Sequence, residues 1–260
     1  MSTASPHSLN DNTVVAFFDV DNTLLRGASI YHLAKGARRL GMLPLRDILR
    51  FAWHQIRFIA VGENHAHLGH VRERAMQLVG GHSEKQLVDL AKIVYTRDIE
   101  KNLWPETVAI AREHLERGHQ VWLITASPQL MAQVIADKLG LTGALGTRIE
   151  CIEGTFTGNI DGAVLHGENK AIAAGEFLEA RSIDSGKCWA YSDSRNDIPL
   201  MSLVGNRVAI NPDAGLSAHA HESNWPILRW RISSIRSAQK ESKRAMQALL
   251  KESKKRQPAD

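Results

Sequence analysis

Val14-Val15-Ala16-Phe17-Phe18-Asp19-Val20-Asp21-Asn22-Thr23 decides the fold of this chain. An unbroken run of valines and phenylalanines ends in two aspartates one residue apart, which reads as a buried strand whose carboxyl end carries function. Side chains alternate along a strand, so Asp19 and Asp21 share one face, and a turn there brings both carboxylates into one small volume. Converging like charges are unfavourable unless a cation neutralises them. A hard divalent ion with oxygen ligands is the natural partner, and Mg²⁺ is the usual one. Two plainer readings stand beside it: a solvated turn, and the start of a calcium loop. The calcium loop fits poorly, because Leu24 stands where the glycine should be and the bidentate glutamate spacing is missing.

Outward from this stretch, residues 121–124 and 188–191 are similar runs that end in small polar or acidic residues. Between them the sequence predicts a helix with Ser127 as N-cap and Pro128 at the first helical position, running to Leu139 and stopped by Gly140. Trp104-Pro105-Glu106 opens another that ends near Gly118. Strand and helix alternate, so the expected class is α/β, a Rossmann-like parallel sheet covered on both faces, with ligands at the carboxyl ends of its strands. Residues 25–103 break the rhythm. Apolar positions recur there at helical spacing (Leu33, Ala34, Ala37, Leu40; Ile48, Leu49, Ala52, Trp53, Ile56; Leu87, Leu90, Ala91, Val94), which predicts an all-helical insert. A β-rich segment at 149–160, with Gly154 and Gly158 as turn points, predicts a hairpin or flap. The expected organisation is a flexible start (1–12), a core (13–24 and 104–228), the helical insert (25–103) and a basic, helical tail (229–260).

Three further elements carry chemistry. Thr125-Ala126-Ser127 offers a hydroxyl and free backbone N–H groups at a strand-to-helix junction, a ready anion site. Ser127 is read as the helix cap, which leaves Thr125 and Ala126 for an anion such as phosphate. Lys170, in Gly167-Glu168-Asn169-Lys170, supplies the point charge a phosphoryl group needs, although a lone lysine is more often solvated surface. Tyr191-Ser192-Asp193-Ser194-Arg195-Asn196-Asp197 puts two more carboxylates and an amide just past a strand.

In this order the four elements resemble the haloacid dehalogenase (HAD) superfamily, and in particular its phosphoserine-phosphatase-like branch, which has a helical cap inserted after the first motif. The resemblance covers residues 14–230. It implies that Asp19 is nucleophile and Mg²⁺ ligand, and that Asp21 is general acid and base and lends its backbone carbonyl to the metal. Thr125, Ala126 and Lys170 would hold phosphoryl oxygens, Asp193 would bind Mg²⁺, and Asn196 would contact phosphate. Asp197 would bind the metal through water or position Lys170. The implied activity is Mg²⁺-dependent hydrolysis of a small phosphomonoester through an aspartyl-phosphate. The alternatives are a lipid-phosphate phosphatase at a membrane surface, a phosphomutase, and a non-catalytic binding module. The branch carries a glutamate that grips a substrate amino group, and this chain has Ala28 at that place, which puts phosphoserine in doubt. Arg72 matches the cap arginine that grips a substrate carboxylate, although a helix-surface arginine is the commoner reading of such a residue.

Composition narrows the partners. The chain has 260 residues, 43% apolar and 23% charged, as an ordinary globular protein does. Its first residues lack a secretory signal, and the expected location is cytoplasmic. Two cysteines, Cys151 and Cys188, suggest neither a disulfide framework nor a zinc site. Residues 229–260 hold ten Lys or Arg against three Asp or Glu, a net of +7 that leaves the rest at −3. The basic character therefore belongs to the tail, and no nucleic-acid partner is expected. Together with the aromatic, basic stretch at 50–59, the tail makes an anionic membrane surface the secondary partner class. His65, His67 and His70 have metal-like spacing but no acidic or cysteine partner, so a zinc site is the disfavoured reading. The oligomeric state is left open.

Overall fold

The computed structural model describes residues 13–42 and 79–256. Arg72, His65, His67, His70 and the stretch 50–59 lie outside the described residues. Among those described, the strands are β1 (Val15–Phe18), β2 (Gln120–Pro128), β3 (Gly143–Thr147), β4 (Ile149–Ile152), β5 (Thr155–Ile160), β6 (Trp189–Ser192), β7 (Asn206–Ile210) and β8 (Ile227–Leu228). Six of them form one sheet in the order β3-β2-β1-β6-β7-β8. Every neighbouring pair is parallel. Phe18 stands opposite Leu123 of β2 and Tyr191 of β6, so β1 and β6 run out at nearly one level while β2 continues to Pro128.

Alternation along β1 divides the interior into two layers. Val15 and Phe17 pack with Phe177, Leu178 and Leu200 on one face. Ala16 and Phe18 face the opposite layer, with Leu33, Leu90 and Met131. The helices that cover these faces are α1 (Ser29–Arg39), α2 (Glu84–Val94), α3 (Pro105–Glu116), α4 (Gln129–Leu139), α5 (Glu168–Glu179), α6 (Ile198–Leu203), α7 (Ala214–Glu222) and α8 (Ile232–Arg256). The chain leaves β1 towards β2 on one side and returns to β6 on the other. This switch between β1 and β6 opens a crevice at the carboxyl ends of the strands, where ligands of such sheets bind.

The described part of 25–103 is helical, as its spacing predicts. Ser83 opens α2 with a capping box, accepting from Gln86 N–H while the Gln86 side chain accepts from Ser83 N–H. Leu87, Leu90, Ala91 and Val94 are all buried. A Cβ at Gly36 would overlap Val94, so the glycine lets α1 and α2 approach closely. The two ends of the segment pair with each other: Arg26 N–H donates to Asn102 O at 2.8 Å, and Trp104 N–H to Leu24 O at 2.9 Å.

Several expectations are corrected. Ser127 is not a helix cap: β2 runs on to Pro128, which pairs with Thr147 of β3, and α4 begins at Gln129 without a side-chain cap. Gly158 is not a turn point. It lies inside β5 with φ +88°, and the hairpin turns at Glu153-Gly154. Leu40 belongs to no core, being 50% exposed at the end of α1. Gly140 ends α4 in the left-handed conformation, and Pro105 opens α3, as expected.

Candidate active site

Asp19 follows β1 directly, and its N–H donates to Tyr191 O of β6 at 2.9 Å. Beneath it Lys170, on the first turn of α5, is buried. Its Nζ donates to Asp19 Oδ1 at 2.6 Å and to Asp197 Oδ2 at 2.7 Å. Ser192 Oγ donates to the same Asp197 oxygen at 2.7 Å. Asp193, one residue past β6, accepts from Thr23 Oγ1 at 3.2 Å, and its own carbonyl accepts from Asp213 N–H at 2.7 Å. Three segments, the turn after β1, the start of α5 and the end of β6 with the turn that follows it, are thus fixed by short contacts around one point.

Above them is a cavity of about 160 Å³. Asp19, Asp21, Thr125, Ala126, Lys170, Asp193, Asn196 and Asp197 all line it, so every described residue singled out from the sequence for phosphate or metal reaches the same space. Asn22 and His166 line it too; the sequence reading had not singled out either. Asn22 holds the turn after β1 with φ +63°, tying itself to Gly27 through its backbone and through Oδ1. Asp21 Oδ1 accepts from Ser29 N–H at 2.8 Å and Ser29 Oγ at 2.6 Å. Ser29 and Ser127 are contacts that sequence reasoning missed. Ser29 carries no local motif, and the capping pattern pointed Ser127 elsewhere.

The electrostatics are unbalanced in a telling way. Burial, with Asp197 and Asp21 adding repulsion, pushes the Asp19 carboxyl up to about 6 despite the pull of Lys170. Burial and the nearby Asp19 push Asp193 up to about 8. Burial alone would depress Lys170, but Asp19 and Asp197 outweigh it and hold the ammonium above its ordinary value. One lysine thus leaves carboxylate charge uncompensated at Asp19 and Asp193. The donor set fits a hard divalent cation. Among the described residues no three His, Cys, Asp or Glu side chains form a ready metal cluster. A cation held by Asp19 and Asp193 would need backbone and water oxygens to complete its shell, as Mg²⁺ commonly does.

The chain is similar to two named phosphatases and to one solved structure. The phosphoserine phosphatase SerB1 of Mycobacterium tuberculosis is 44% identical over 223 residues, covering 85% of this chain and 72% of that protein. A histidinol-phosphatase of Neisseria meningitidis is 30% identical over 154 residues, covering 58% of this chain and 69% of its own. A crystal structure of a Bordetella pertussis protein of unknown function is similar with a TM-score of 0.75 at 28% identity, covering 84% of this chain and 99% of that one. The sequence profile of one family matches residues 16–202, a span that holds the whole constellation from Asp19 to Asp197. This chain belongs to the haloacid dehalogenase-like hydrolases.

Proposed function

We propose that the protein is a Mg²⁺-dependent phosphomonoester phosphatase that forms an aspartyl-phosphate on Asp19. One observation carries the reading. A buried lysine joins Asp19 to Asp197 at the floor of a cavity that Asp21, Thr125 and Asn196 also line. A carboxylate held by a lysine, with a second carboxylate two residues on, suits attack on phosphorus followed by proton transfer.

An Asp19 oxygen forms the bond to phosphorus as the ester oxygen departs. Asp21, entering protonated, gives its proton to that leaving oxygen. It then takes a proton from water, whose oxygen attacks the phosphorus of the aspartyl-phosphate and releases inorganic phosphate. Lys170, Asn196, Thr125 and the Ala126 N–H bind phosphoryl oxygens, a task that dominates phosphoryl transfer because charge spreads over those oxygens in the transition state. Asp19, Asp193 and the Asp21 carbonyl would hold Mg²⁺, and Asp197 would act through water or through Lys170. When bound, Mg²⁺ neutralises phosphoryl charge as a Lewis acid. In the same reading residues 25–103 form a cap over a core of 13–24 and 104–228, and the cap chooses the substrate, a small phosphorylated metabolite. Two similar proteins are named for different substrates, phosphoserine and histidinol phosphate. Ala28 offers no charge to an amino group, so neither name transfers directly.

The test is phosphate release from a panel of soluble and lipid phosphomonoesters, with and without Mg²⁺. Release that needs Mg²⁺, and that Asp19→Asn abolishes while circular dichroism is unchanged, is the expected outcome. Substantial turnover by Asp19→Asn overturns the covalent route. Isomer formation without free phosphate marks a mutase instead.

A further inference from the structure

Ser29 is fully buried at the first turn of α1, and both of its donors point at one atom. Its N–H lies 2.8 Å and its Oγ 2.6 Å from Asp21 Oδ1. The same Oγ lies 2.6 Å from Ser127 Oγ, which belongs to the end of β2. Ser127 N–H in turn donates to Thr125 Oγ1 at 3.2 Å. A serine hydroxyl has one proton to donate. Asp21 Oδ1 already accepts from a backbone N–H that cannot turn away, so it is the bare oxygen of the carboxyl group. The Ser29 proton therefore goes to Asp21, and the proton between the two serines belongs to Ser127. The chain of donors runs Ser127 to Ser29 to Asp21. Asp21 Oδ2 has no hydrogen bond among the described residues, while Asp21 lines the cavity.

We infer that Ser29, backed by Ser127, is a positioning residue that fixes Asp21 with Oδ1 committed to α1 and Oδ2 as the oxygen that carries and transfers the proton. The inference rests on the reading of Asp21 as the proton donor. It adds a requirement: α1 must be seated against both β1 and β2 for the donor to be aligned. Ser29 and Ser127 are 98 residues apart, and their contact joins the segment after β1 to the end of β2.

Leaving-group dependence separates alignment from general damage. p-Nitrophenolate departs without a proton, whereas an alkoxide needs one. Ser29→Ala is expected to lower kcat/KM for an alkyl phosphate by roughly tenfold or more and for p-nitrophenyl phosphate by less than about threefold, because kcat/KM reports the departure of the leaving group and not the later water step that Asp21 serves for both esters. Ser29→Thr, which keeps the hydroxyl, should restore most of the alkyl-ester rate. In an Asp21→Asn background Ser29→Ala should have no further effect, because the group it positions is already disabled. Equal loss of kcat/KM on both esters, or additive loss in the double variant, overturns the inference. If Ser29→Ala does not fold, Ser127→Ala reads the same chain from its far end. A smaller loss confined to the alkyl ester supports the inference, and a uniform loss or none overturns it. A folded wild-type protein inert towards both esters overturns the phosphatase reading and this one with it. Wild-type activity without the selective pattern overturns this one alone.

Discussion

Lys170 is 4% exposed and its ammonium touches two carboxylates, so its removal has two separable consequences. Lys170→Met keeps much of the stem but leaves Asp19 and Asp197 facing each other without a cation. Breaking a buried pair from one side costs about 3 kcal/mol of folding stability. Loss of a preorganised charge at the phosphoryl site slows turnover by about 10²-fold or more. Lys170→Arg should rescue neither, because the wider guanidinium does not fit between carboxylates 2.6 and 2.7 Å from Nζ. Denaturant melts and phosphate release measure the two effects, and a fully active Lys170→Arg would show that charge alone suffices. At this scale the candidate site was largely legible. Asp19, Asp21 and the 193–197 cluster betray themselves because carboxylates and an amide at strand ends are unfavourable without a purpose, whereas Lys170, on the first turn of α5, stands out only by its place in the order of the motifs. Ser29 and Ser127 did not, since nothing local distinguishes a serine that bonds across 98 residues from one that caps a helix.

At the level of elements, α3 docks on the sheet through a polar contact in an apolar layer. His114 is 3% exposed. Its Nε2 lies 2.7 Å from Tyr191 OH and its Nδ1 2.8 Å from His119 Nδ1. Burial, with help from His119 and Arg117, lowers the His114 pKa from 6.5 to about 4. Between those values the unfolded chain binds a proton that the folded one refuses. Stability is therefore intact above about pH 6.5 and is lost as pH falls towards 4, by roughly 3 kcal/mol. His114→Gln should be less stable at pH 7 but should show a shallower acid slope between pH 6.5 and 4.5. An unchanged slope would assign the acid sensitivity to other groups. The strands that flank α3 were legible from their valine, isoleucine and aromatic runs, and the helix from Pro105. The end of β2 was not. Ser127-Pro128 has the composition of a helix start, but Pro128 pairs with Thr147, and Thr147 Oγ1 donates to Ala126 O at 2.9 Å. A neighbouring strand, invisible to any local window, keeps the chain extended.

For the whole molecule, the order of motifs made the α/β class and the parallel sheet readable, because strand–helix alternation leaves few topologies. The way the hairpin joins the insert was unreadable: Gly81 N–H donates to Phe156 O at 2.8 Å and Phe156 N–H to His82 O at 3.0 Å, across a long stretch of chain. The basic tail poses the last question of scale. Its chain is tied to the body early, where Trp230 Nε1 donates to Thr107 Oγ1 at 2.9 Å and Trp230 N–H to Asn211 Oδ1 at 2.7 Å. Ile235 is buried, and Gln239 Nε2 reaches Lys101 O at 2.6 Å. Among the described residues, every one that lines the cavity precedes Asp197 or is Asp197 itself. Truncation after Gln239 keeps these anchors and removes most of the positive charge of α8. Turnover on a soluble ester should stay within about twofold of the full chain, the range of surface changes that touch no site. Sedimentation with anionic vesicles then asks what the tail does. Salt-sensitive binding by the full chain that truncation removes would favour a lipid-borne substrate, since lysines and arginines near an anionic surface add attraction that ions screen. Loss of both solubility and turnover on truncation would show that the tail is part of the fold rather than an accessory to it.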